Sequence, residues 1–405
     1  MYVLSIVMVA GCITAVARTK GSTPEVKVPG EEPAAVVSGE DTEHAGADSG
    51  ADRAPAREEN ETAVETTEAE ERTEAAEVAE EAEAGGQAEA DGSTTILFTG
   101  DVLFANAFKA GYDADGIKGV VAPELLEELR AADILMVNNE FPFSDRGTPM
   151  ADKQFTFRCS PGYVKALNEM GVDIVSVANN HIYDYGEISL LDTLDTLQQD
   201  GIPYAGAGRN LEEAAAPVYF ISGGMKIGFL SATQIERLDN PDTKGAIEGA
   251  AGVFRCWNPE KLLAVTEETR KNCDFLVVYI HWGTENVAEA DWAQLDQAPK
   301  IAQAGADLII GDHPHCLQGI QYFGETPVFY SLGNFWFNSK TLDTCLLKVT
   351  LTDSRIESMT FIPAVQSGCY TSLAEGEEGQ RVISYMNSLS TGVFIGSDGS
   401  ISRQE

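Results

Sequence analysis

Apolar runs separated by turn signals begin at residue 94 and predict regular secondary structure from there to the end of the chain. Continuous apolar runs predict buried strands at 94–104, 134–138, 172–178, 275–281 and 308–311. Gly, Asn or Asp lies at or next to most ends of these runs, and these residues favour turns. The strands are short enough to belong to sheets of an ordinary globular domain.

Amphipathic segments lie between these strands. Leu190, Leu194 and Leu197 recur at helical spacing and predict a helix over 187–199. The other predicted helices are 123–132, 161–170, 259–271, 292–304 and 379–388. Alternation of strands and helices predicts an α/β protein with a layered core.

The second half of the chain becomes mainly β in character. Residues 218–222 and 226–232 predict a hairpin across two glycines, and three further strands are predicted at 327–331, 344–351 and 355–363. Antiparallel strands that follow alternating strands and helices predict a mixed sheet.

Residues 20–93 differ in composition from the rest of the chain. They contain no Phe, Tyr or Trp, and the stretch 58–84 is almost entirely Glu, Ala and Thr. Such a segment buries too little apolar surface to offset its loss of conformational entropy. We predict a disordered acidic linker over 20–93.

The chain has 64 acidic and 27 basic side chains in 405 residues, a formal net charge of −37. Residues 1–93 contribute −16, from 22 acidic and six basic side chains, and the remainder contributes −21. This balance argues against nucleic acid as a partner, because phosphate backbones are bound by clustered cations.

The first residues resemble the start of a bacterial lipoprotein. The apolar run 2–10 is far shorter than the roughly 20 residues that span a bilayer. It ends in Val9-Ala10-Gly11-Cys12, which resembles a lipobox, and we expect a signal segment over 1–19 with lipid on Cys12. The alternative is an accidental apolar start with a buried cysteine.

The six other cysteines, at 159, 256, 273, 316, 345 and 369, show no CxxC spacing. This excludes zinc-ribbon and thioredoxin-like motifs. Several lie in apolar contexts, where cysteine behaves as a small hydrophobic residue. We expect mostly buried, free thiols.

Candidate metal ligands follow the apolar runs. The four histidines after residue 94 each lie at the end of such a run, as do two carboxylates; these residues are His181, His281, His313, His315, Asp101 and Glu140. In open α/β sheets, sites assemble in the loops at the carboxyl ends of strands. An isolated histidine is more often structural, but a series of strand-end ligands favours a metal site.

The local spacing supports this interpretation. His313 and His315 are two residues apart, so their rings would face the same side of an extended segment. In Asn179-Asn180-His181 neighbouring side chains would point apart, so one amide oxygen can bind the metal while the adjacent imidazole addresses the substrate. Imidazole, carboxylate and amide ligands without thiolate suit Mn, Fe or Zn, and we expect one or two divalent ions.

The ordered series of motifs resembles the bacterial capsule-synthesis protein CapA family. The motifs are Gly100-Asp101, Asn138-Asn139-Glu140, Ala178-Asn179-Asn180-His181 with Asp184-Tyr185-Gly186, His281-Trp282-Gly283 with Glu285, His313-Pro314-His315 with Gln318, and Tyr330-Ser331-Leu332-Gly333-Asn334-Phe335. That family is associated with poly-γ-glutamate synthesis and belongs with the calcineurin-like metallophosphoesterases. The resemblance covers residues 94–370, and leaves a C-terminal helix and tail over 371–405.

The resemblance implies a four-layer α/β/β/α sandwich with a dinuclear metal site. Asp101 and Glu140 would be carboxylate ligands, one of them bridging, and His181 would lie near the leaving group. The other implied ligands are Asn180, His281, His313 and His315. The sequence departs from the usual Asp-x-His motif, because the residue two after Asp101 is Leu103.

Two further residues are candidates for the reaction. Asp184 either holds His181 in one tautomer or caps the helix that follows, since Glu187 completes a capping-box pattern. Arg158 is either an additional cation for an anionic substrate or an ordinary exposed arginine.

These features favour a lipid-anchored, extracytoplasmic, metal-dependent hydrolase or transferase. Its substrate would be an anionic polymer such as poly-γ-glutamate, or a phosphate ester. The alternative is a non-catalytic accessory protein of a polymer synthesis and export complex. A cytoplasmic phosphatase is the third possibility, if the N-terminal segment is no lipobox.

Overall fold

The structure, a computed structural model, describes residues 2–9, 12–19, 92–104, 106–151, 153–235 and 243–404. The acidic linker predicted over 20–93 lies outside the described residues, apart from Gly92 and Ser93.

Most described strands belong to two large sheets. In chain order the strands are β1 (Tyr2–Val9), β2 (Cys12–Thr19), β3 (Ser93–Val102), β4 (Ile134–Asn139), β5 (Ile174–Ser176), β6 (Tyr204–Ala205), β7 (Ala207–Gly208), β8 (Val218–Ser222), β9 (Met225–Thr233), β10 (Gly252–Val253), β11 (Phe275–His281), β12 (Leu308–Asp312), β13 (Leu317–Phe323), β14 (Thr326–Leu332), β15 (Asn334–Trp336), β16 (Leu342–Thr352), β17 (Arg355–Ser367), β18 (Tyr370–Leu373), β19 (Val393–Ile395) and β20 (Ile401–Arg403).

Helices connect the strands and cover the sheets. The α-helices are α1 (Asn106–Asp115), α2 (Pro123–Ala131), α3 (Lys165–Met170), α4 (Glu187–Gln199), α5 (Leu211–Ala214), α6 (Glu260–Arg270), α7 (Trp292–Gln303) and α8 (Gly376–Leu389). Short 3₁₀ helices lie at Gly116–Gly119 and Pro161–Val164. In the described part of the chain, no helix has the length and apolar character needed to cross a membrane.

The first sheet has the strand order β13-β14-β12-β11-β9-β8-β1-β2, and its strands β9, β11, β12 and β14 run parallel. The second has the order β18-β17-β16-β3-β4-β5-β6, with β15 also paired to β3. In this sheet β3, β4, β5 and β6 run parallel. The carboxyl ends of the parallel strands therefore meet at one edge of each sheet.

Three apolar cores separate four layers. Alternate residues of one strand point to opposite faces, so Phe98 packs between the sheets while Leu97 packs under the helices of the second sheet. Likewise Val277 faces the space between the sheets and Val278 faces α6 and α7. The α/β/β/α sandwich expected from the resemblance is confirmed.

Strong periodic patterns predicted their elements well. The helix expected at 187–199 and the strand expected at 275–281 have the same bounds in the structure. The hairpin across Gly223 and Gly224 forms between β8 and β9. Helix α8 begins three residues earlier than expected, and its Val382 and Met386 pack into the core between the sheets.

The N-terminal strands extend the first sheet. β1 pairs antiparallel with β2, and also with β8. The candidate lipidation site Cys12 is the first residue of β2. The six cysteines from Cys159 to Cys369 are free thiols, four of them buried.

Candidate metal centre

The strand ends bring the predicted ligands together. Asp101 lies near the end of β3 and Glu140 directly follows β4. His281 ends β11, where it is opposite Asp312, the last residue of the neighbouring β12. His313 follows at once. The two sheets thus contribute ligands from facing carboxyl edges, as expected for such a fold.

One set of ligand atoms surrounds the His281 ring. Its Nε2 lies 2.9 Å from Asn180 Oδ1, 3.1 Å from His313 Nδ1 and 3.4 Å from Glu140 Oε1. Two ligand atoms about 2.1 Å from one ion and at right angles to each other are roughly 3.0 Å apart. This set has the spacing of atoms that share an ion.

A second set lies beside it, around Asp101. The Oδ2 atom of Asp101 lies 3.2 Å from His315 Nδ1, and His315 Nδ1 lies 3.0 Å from Asn334 Oδ1. Glu140 can join either set: its carboxylate lies within 4.8 Å of ligand atoms of His313 and His315, and likewise of Asp101 and His281. This position suits a carboxylate that bridges two ions.

The surroundings of the Glu140 carboxylate indicate whether a cation fits this site. Its side chain is fully buried, and neither carboxylate oxygen has a hydrogen-bond partner. Burial, and then the charge of Asp101, raises its pKa well above the ordinary value. Buried polar atoms without partners are costly. A divalent ion would satisfy both oxygens, so these residues fit a metal.

The protonation states of Asp101, His281 and His313 also fit metal binding. Burial lowers the pKa of His281 to about 3 and that of His313 well below its ordinary value. Although burial alone would raise the pKa of Asp101, the hydrogen bond and charge of His315 hold it below the ordinary value. Neutral imidazole and ionised carboxylate are the forms that bind metals.

The His313–His315 segment is not extended, so that part of the sequence interpretation is wrong. His313 has φ 103° and His315 has φ 56°, values that side-chain-bearing residues seldom adopt. The ring centroids are nevertheless 5.7 Å apart. Strained residues of this kind persist where the surroundings fix them, and they cluster at functional sites.

His181 lies beside the ligand sets with its own partner. Its Nδ1 is 2.7 Å from Asp184 Oδ2, which also accepts the Phe157 backbone N–H at 2.7 Å. Lys153 Nζ donates to Asp184 Oδ1 at 2.5 Å and to the carbonyl of Asn180. Helix α4 has Gly186 at its N-cap with no side-chain cap, so Asp184 holds His181 rather than capping the helix.

Arg158 lies in an adjoining cleft, outside the ligand sets. Its guanidinium lies 4.3 Å from the centre of the Tyr185 ring. The cleft has a volume of about 320 Å³, and Lys109 and Phe157 also line it. The Phe157 ring lies 4.6 Å from the His181 ring. The cleft therefore presents two cations, together with the carboxylate of Asp145, and adjoins His181 through Phe157.

Three further polar residues of the centre were not among the predicted site residues. Asn138 Nδ2 donates to Asp101 Oδ1 at 2.8 Å and lies 3.3 Å from His281 Nδ1. Asn334 contacts His315, and Lys153 contacts Asp184. The two asparagines lie within motifs that the sequence displays, whereas Lys153 lies in an irregular loop that has no such signal.

The sequence is similar to that of bacterial capsule synthesis proteins. Residues 95–339 match the family described as bacterial capsule synthesis protein PGA_cap. The PGA biosynthesis protein CapA of Bacillus subtilis is 30% identical over 262 residues, covering 63% of this chain and 67% of that protein.

Two other relatives are similar. The capsule biosynthesis protein CapA of Bacillus anthracis is 28% identical over 291 residues, 68% of each chain. A probable polyglutamine synthesis accessory protein of Mycobacterium tuberculosis is 25% identical over 213 residues, covering 51% of this chain and 56% of that protein. The family match covers more than half of the chain and includes the whole ligand series. The chain therefore belongs to the bacterial capsule synthesis protein PGA_cap family.

Proposed function

We propose that the chain is a lipid-anchored, extracytoplasmic protein of capsule or poly-γ-glutamate synthesis. In this proposal it acts as a metal-dependent hydrolase or transferase on the anionic polymer or on a phosphate ester. The observation that carries the proposal is the convergence of ligand atoms around Glu140, whose two buried oxygens have no hydrogen-bond partner.

The residues that would hold the metal form two groups around Glu140. Asp101 and His315 form one, and Asn180, His281 and His313 form the other; Glu140 lies between them. A bound pair of divalent ions would lower the pKa of a water molecule and polarise the substrate oxygen.

His181 is suited to move a proton. Burial lowers its pKa, although the hydrogen bond to Asp184 opposes this effect. The ring is therefore neutral at pH 7; its Nδ1–H donates to Asp184, which leaves Nε2 to exchange a proton with the substrate. An anionic substrate would raise the pKa of His181 and favour the form that protonates a leaving group.

Lys153 and Asp184 keep His181 in place. Asp184 receives hydrogen bonds from Lys153, from the Phe157 backbone and from His181 itself. These contacts fix the orientation of the imidazole, because a carboxylate with several donors has little freedom to turn. Lys153 also ties this group to Asn180, one of the ligands.

The adjoining cleft supports an anionic substrate. Arg158 and Lys109 line it, and the Arg158 guanidinium is held over Tyr185. A protein with a net charge of −37 repels anions at long range. Local cations in the cleft and divalent ions in the centre would overcome that repulsion.

The enzyme proposal is tested with the full chain. Phosphodiester and γ-glutamyl substrates are assayed with Mn²⁺, and a His313→Ala, His315→Ala double variant is compared with the wild-type protein. We expect activity that depends on Mn²⁺ and is lost in the double variant. Activity that is equal in both proteins would contradict the proposal.

A non-catalytic accessory role is the second candidate. It is favoured by Leu103, which stands where the usual Asp-x-His motif has a histidine. This residue is buried in the apolar core and supplies no ligand beside Asp101. One relative is itself named a probable synthesis accessory protein. His181→Ala separates the two: loss of polymer production with metal content intact supports catalysis, whereas unchanged production supports the accessory role.

The lipid anchor rests on Val9-Ala10-Gly11-Cys12. Cleavage before Cys12 would remove β1 and leave β8 as the edge of the first sheet. We expect the wild-type protein in the membrane fraction, labelled by radioactive fatty acid, and Cys12→Ser in the soluble fraction without label. Identical fractionation of the two proteins, both unlabelled, would contradict the anchor and favour a cytoplasmic phosphatase.

A further inference from the structure

Asn334 is a buried amide that reaches the metal centre from its own short strand. It begins β15, which runs parallel to β3 and places Asn334 directly opposite Asp101. Its side chain is fully buried. A buried amide needs partners for its oxygen and its nitrogen, so its surroundings indicate its role.

The backbone holds this amide close to Asp101. The Asp101 N–H donates to the Gly333 carbonyl at 2.8 Å. Gly100 lies so close to Gly333 that a Cβ on Gly100 would be 1.9 Å from the Gly333 oxygen. Glycine at position 100 permits this approach, because any side chain there would push the strands apart.

The orientation of the amide is set by its contacts. Asn334 Nδ2 donates to the His315 carbonyl at 3.3 Å, and a carbonyl can only accept. The oxygen Oδ1 therefore faces the other way, 3.0 Å from His315 Nδ1. His315 Nδ1 is in turn 3.2 Å from Asp101 Oδ2.

We propose that Asn334 Oδ1 is a direct ligand of the ion held by Asp101, Glu140 and His315. This inference rests on the metal binding in the proposed function. Three ligand atoms at spacings of 3.0 and 3.2 Å match the roughly 3.0 Å between adjacent ligands of one octahedral ion.

The chemistry of this second set supports the assignment. Leu103, two residues after Asp101, is buried among apolar side chains and offers no donor atom. Asn334 approaches Asp101 from the neighbouring strand instead. The set then consists of two carboxylates, one imidazole and one amide oxygen, a largely oxygen environment that favours Mn²⁺ over a softer ion.

Three variants of the full chain separate a ligand from a structural hydrogen bond. Asn334→Ala removes the oxygen and the donor, Asn334→Asp keeps an oxygen and removes the donor, and Asn338→Ala removes an amide four residues away. Asn338 contacts Gln366 and Lys340, so Asn338→Ala is the matched control. Bound Mn²⁺ is measured by equilibrium dialysis and titration calorimetry, with circular dichroism to confirm folding.

We expect two Mn²⁺ in the wild-type protein and in Asn338→Ala. In Asn334→Ala the affinity of one site should fall by at least ~10-fold, whereas Asn334→Asp should retain both ions. Unchanged affinities in Asn334→Ala, or equal losses in Asn334→Ala and Asn334→Asp, would overturn the inference. A wild-type protein that binds no Mn²⁺ would instead overturn the proposed function.

A crystal structure of the Mn²⁺-loaded wild-type protein gives the deciding distance. Anomalous scattering locates the ions without reference to activity. Asn334 Oδ1 within about 2.4 Å of the ion beside Asp101 supports direct ligation. An ion bound by Asp101 and His315 with this oxygen beyond about 3 Å would overturn it, and Asn334 would then only orient His315.

Discussion

Replacement of Glu140 by glutamine perturbs the centre with little change of shape. The carboxylate is fully buried, its oxygens have no hydrogen-bond partner, and Oε1 lies 3.4 Å from His281 Nε2. Glu140→Gln keeps the volume and removes the titratable charge. We expect opposite effects on the metal-free and the metal-loaded protein.

The effect on the metal-free protein follows from proton linkage. The pKa of Glu140 is raised well above its ordinary value of 4.5 in the folded state, so the folded protein holds a proton that the unfolded chain has lost. The free energy of unfolding then falls by about 1.4 kcal/mol per pH unit between those two pKa values.

The histidines act in the opposite direction, but only at lower pH. His281 and His313 have pKa values lowered from 6.5 in the folded state, so they raise stability with pH up to about 6.5 and have no effect above it. Above pH 6.5 the raised pKa of Glu140 remains, with that of Asp312. Glu140→Gln removes the first contribution, which is at most about 1.4 kcal/mol per pH unit.

The assay is reversible denaturation of both proteins in EDTA at pH 6.5 and 8.0, repeated with Mn²⁺. In EDTA, the free energy of unfolding of the wild-type protein should fall more with rising pH than that of Glu140→Gln, by at most about 1.4 kcal/mol per pH unit. With Mn²⁺ at 100 times its Kd, the wild-type protein should gain about 2.7 kcal/mol per ion, and Glu140→Gln should gain far less. Parallel pH dependences together with equal Mn²⁺ stabilisation would refute the assignment of Glu140.

Three further predictions concern the proton path, the cleft and the strand contact. His181→Ala should reduce Mn²⁺-dependent turnover by ~10²- to 10⁴-fold with unchanged metal content; metal loss in step with activity would contradict a proton-transfer role. Arg158→Ala should raise KM for an anionic substrate at low salt and leave kcat unchanged, measured by steady-state kinetics, and equal KM values would leave Arg158 without a role in binding. Gly100→Ala should lower the free energy of unfolding by about 1–3 kcal/mol, measured by denaturation. Gly162→Ala, whose Cβ meets nothing within 4 Å, is the control, and equal stabilities would contradict the close contact.

Elements with a strong apolar period could be predicted from the sequence. Strand β11 is fully buried along all seven residues, so its apolar run is continuous. Helix α4 buries Leu190, Leu194 and Leu197, the residues that gave its period. In both elements the local pattern and the tertiary burial agree.

Other helices and strands are stabilised by contacts with residues distant in sequence, and their own sequences show no strong apolar period. Helix α1 contains a glycine and two aspartates, which are weak helix formers. It is held by Phe108 in the core and by a hydrogen bond from Tyr112 to Glu169. Strand β13, also absent from the predicted elements, is stabilised by antiparallel pairing with β14.

Some residues of the metal centre could likewise be predicted from the sequence, and others could not. Residues at strand ends, such as Asp101 and His281, could be proposed because parallel strands share an edge. Lys153 could not, because it lies in an irregular loop and its partner Asp184 is 31 residues away. The contact between His315 and Asp101 joins residues 214 positions apart, a pairing that only the packing of two sheets determines.

The proposed function requires a pair of divalent ions at the carboxyl edges of the two sheets, where the ligand residues meet. The most direct measurement is the metal content of the full chain after equilibrium dialysis against Mn²⁺, with a His281→Ala, His313→Ala double variant beside it. We expect two ions per chain in the wild-type protein and at most one in the variant. No bound ion in the wild-type protein, or equal metal content in the two proteins, would contradict the account.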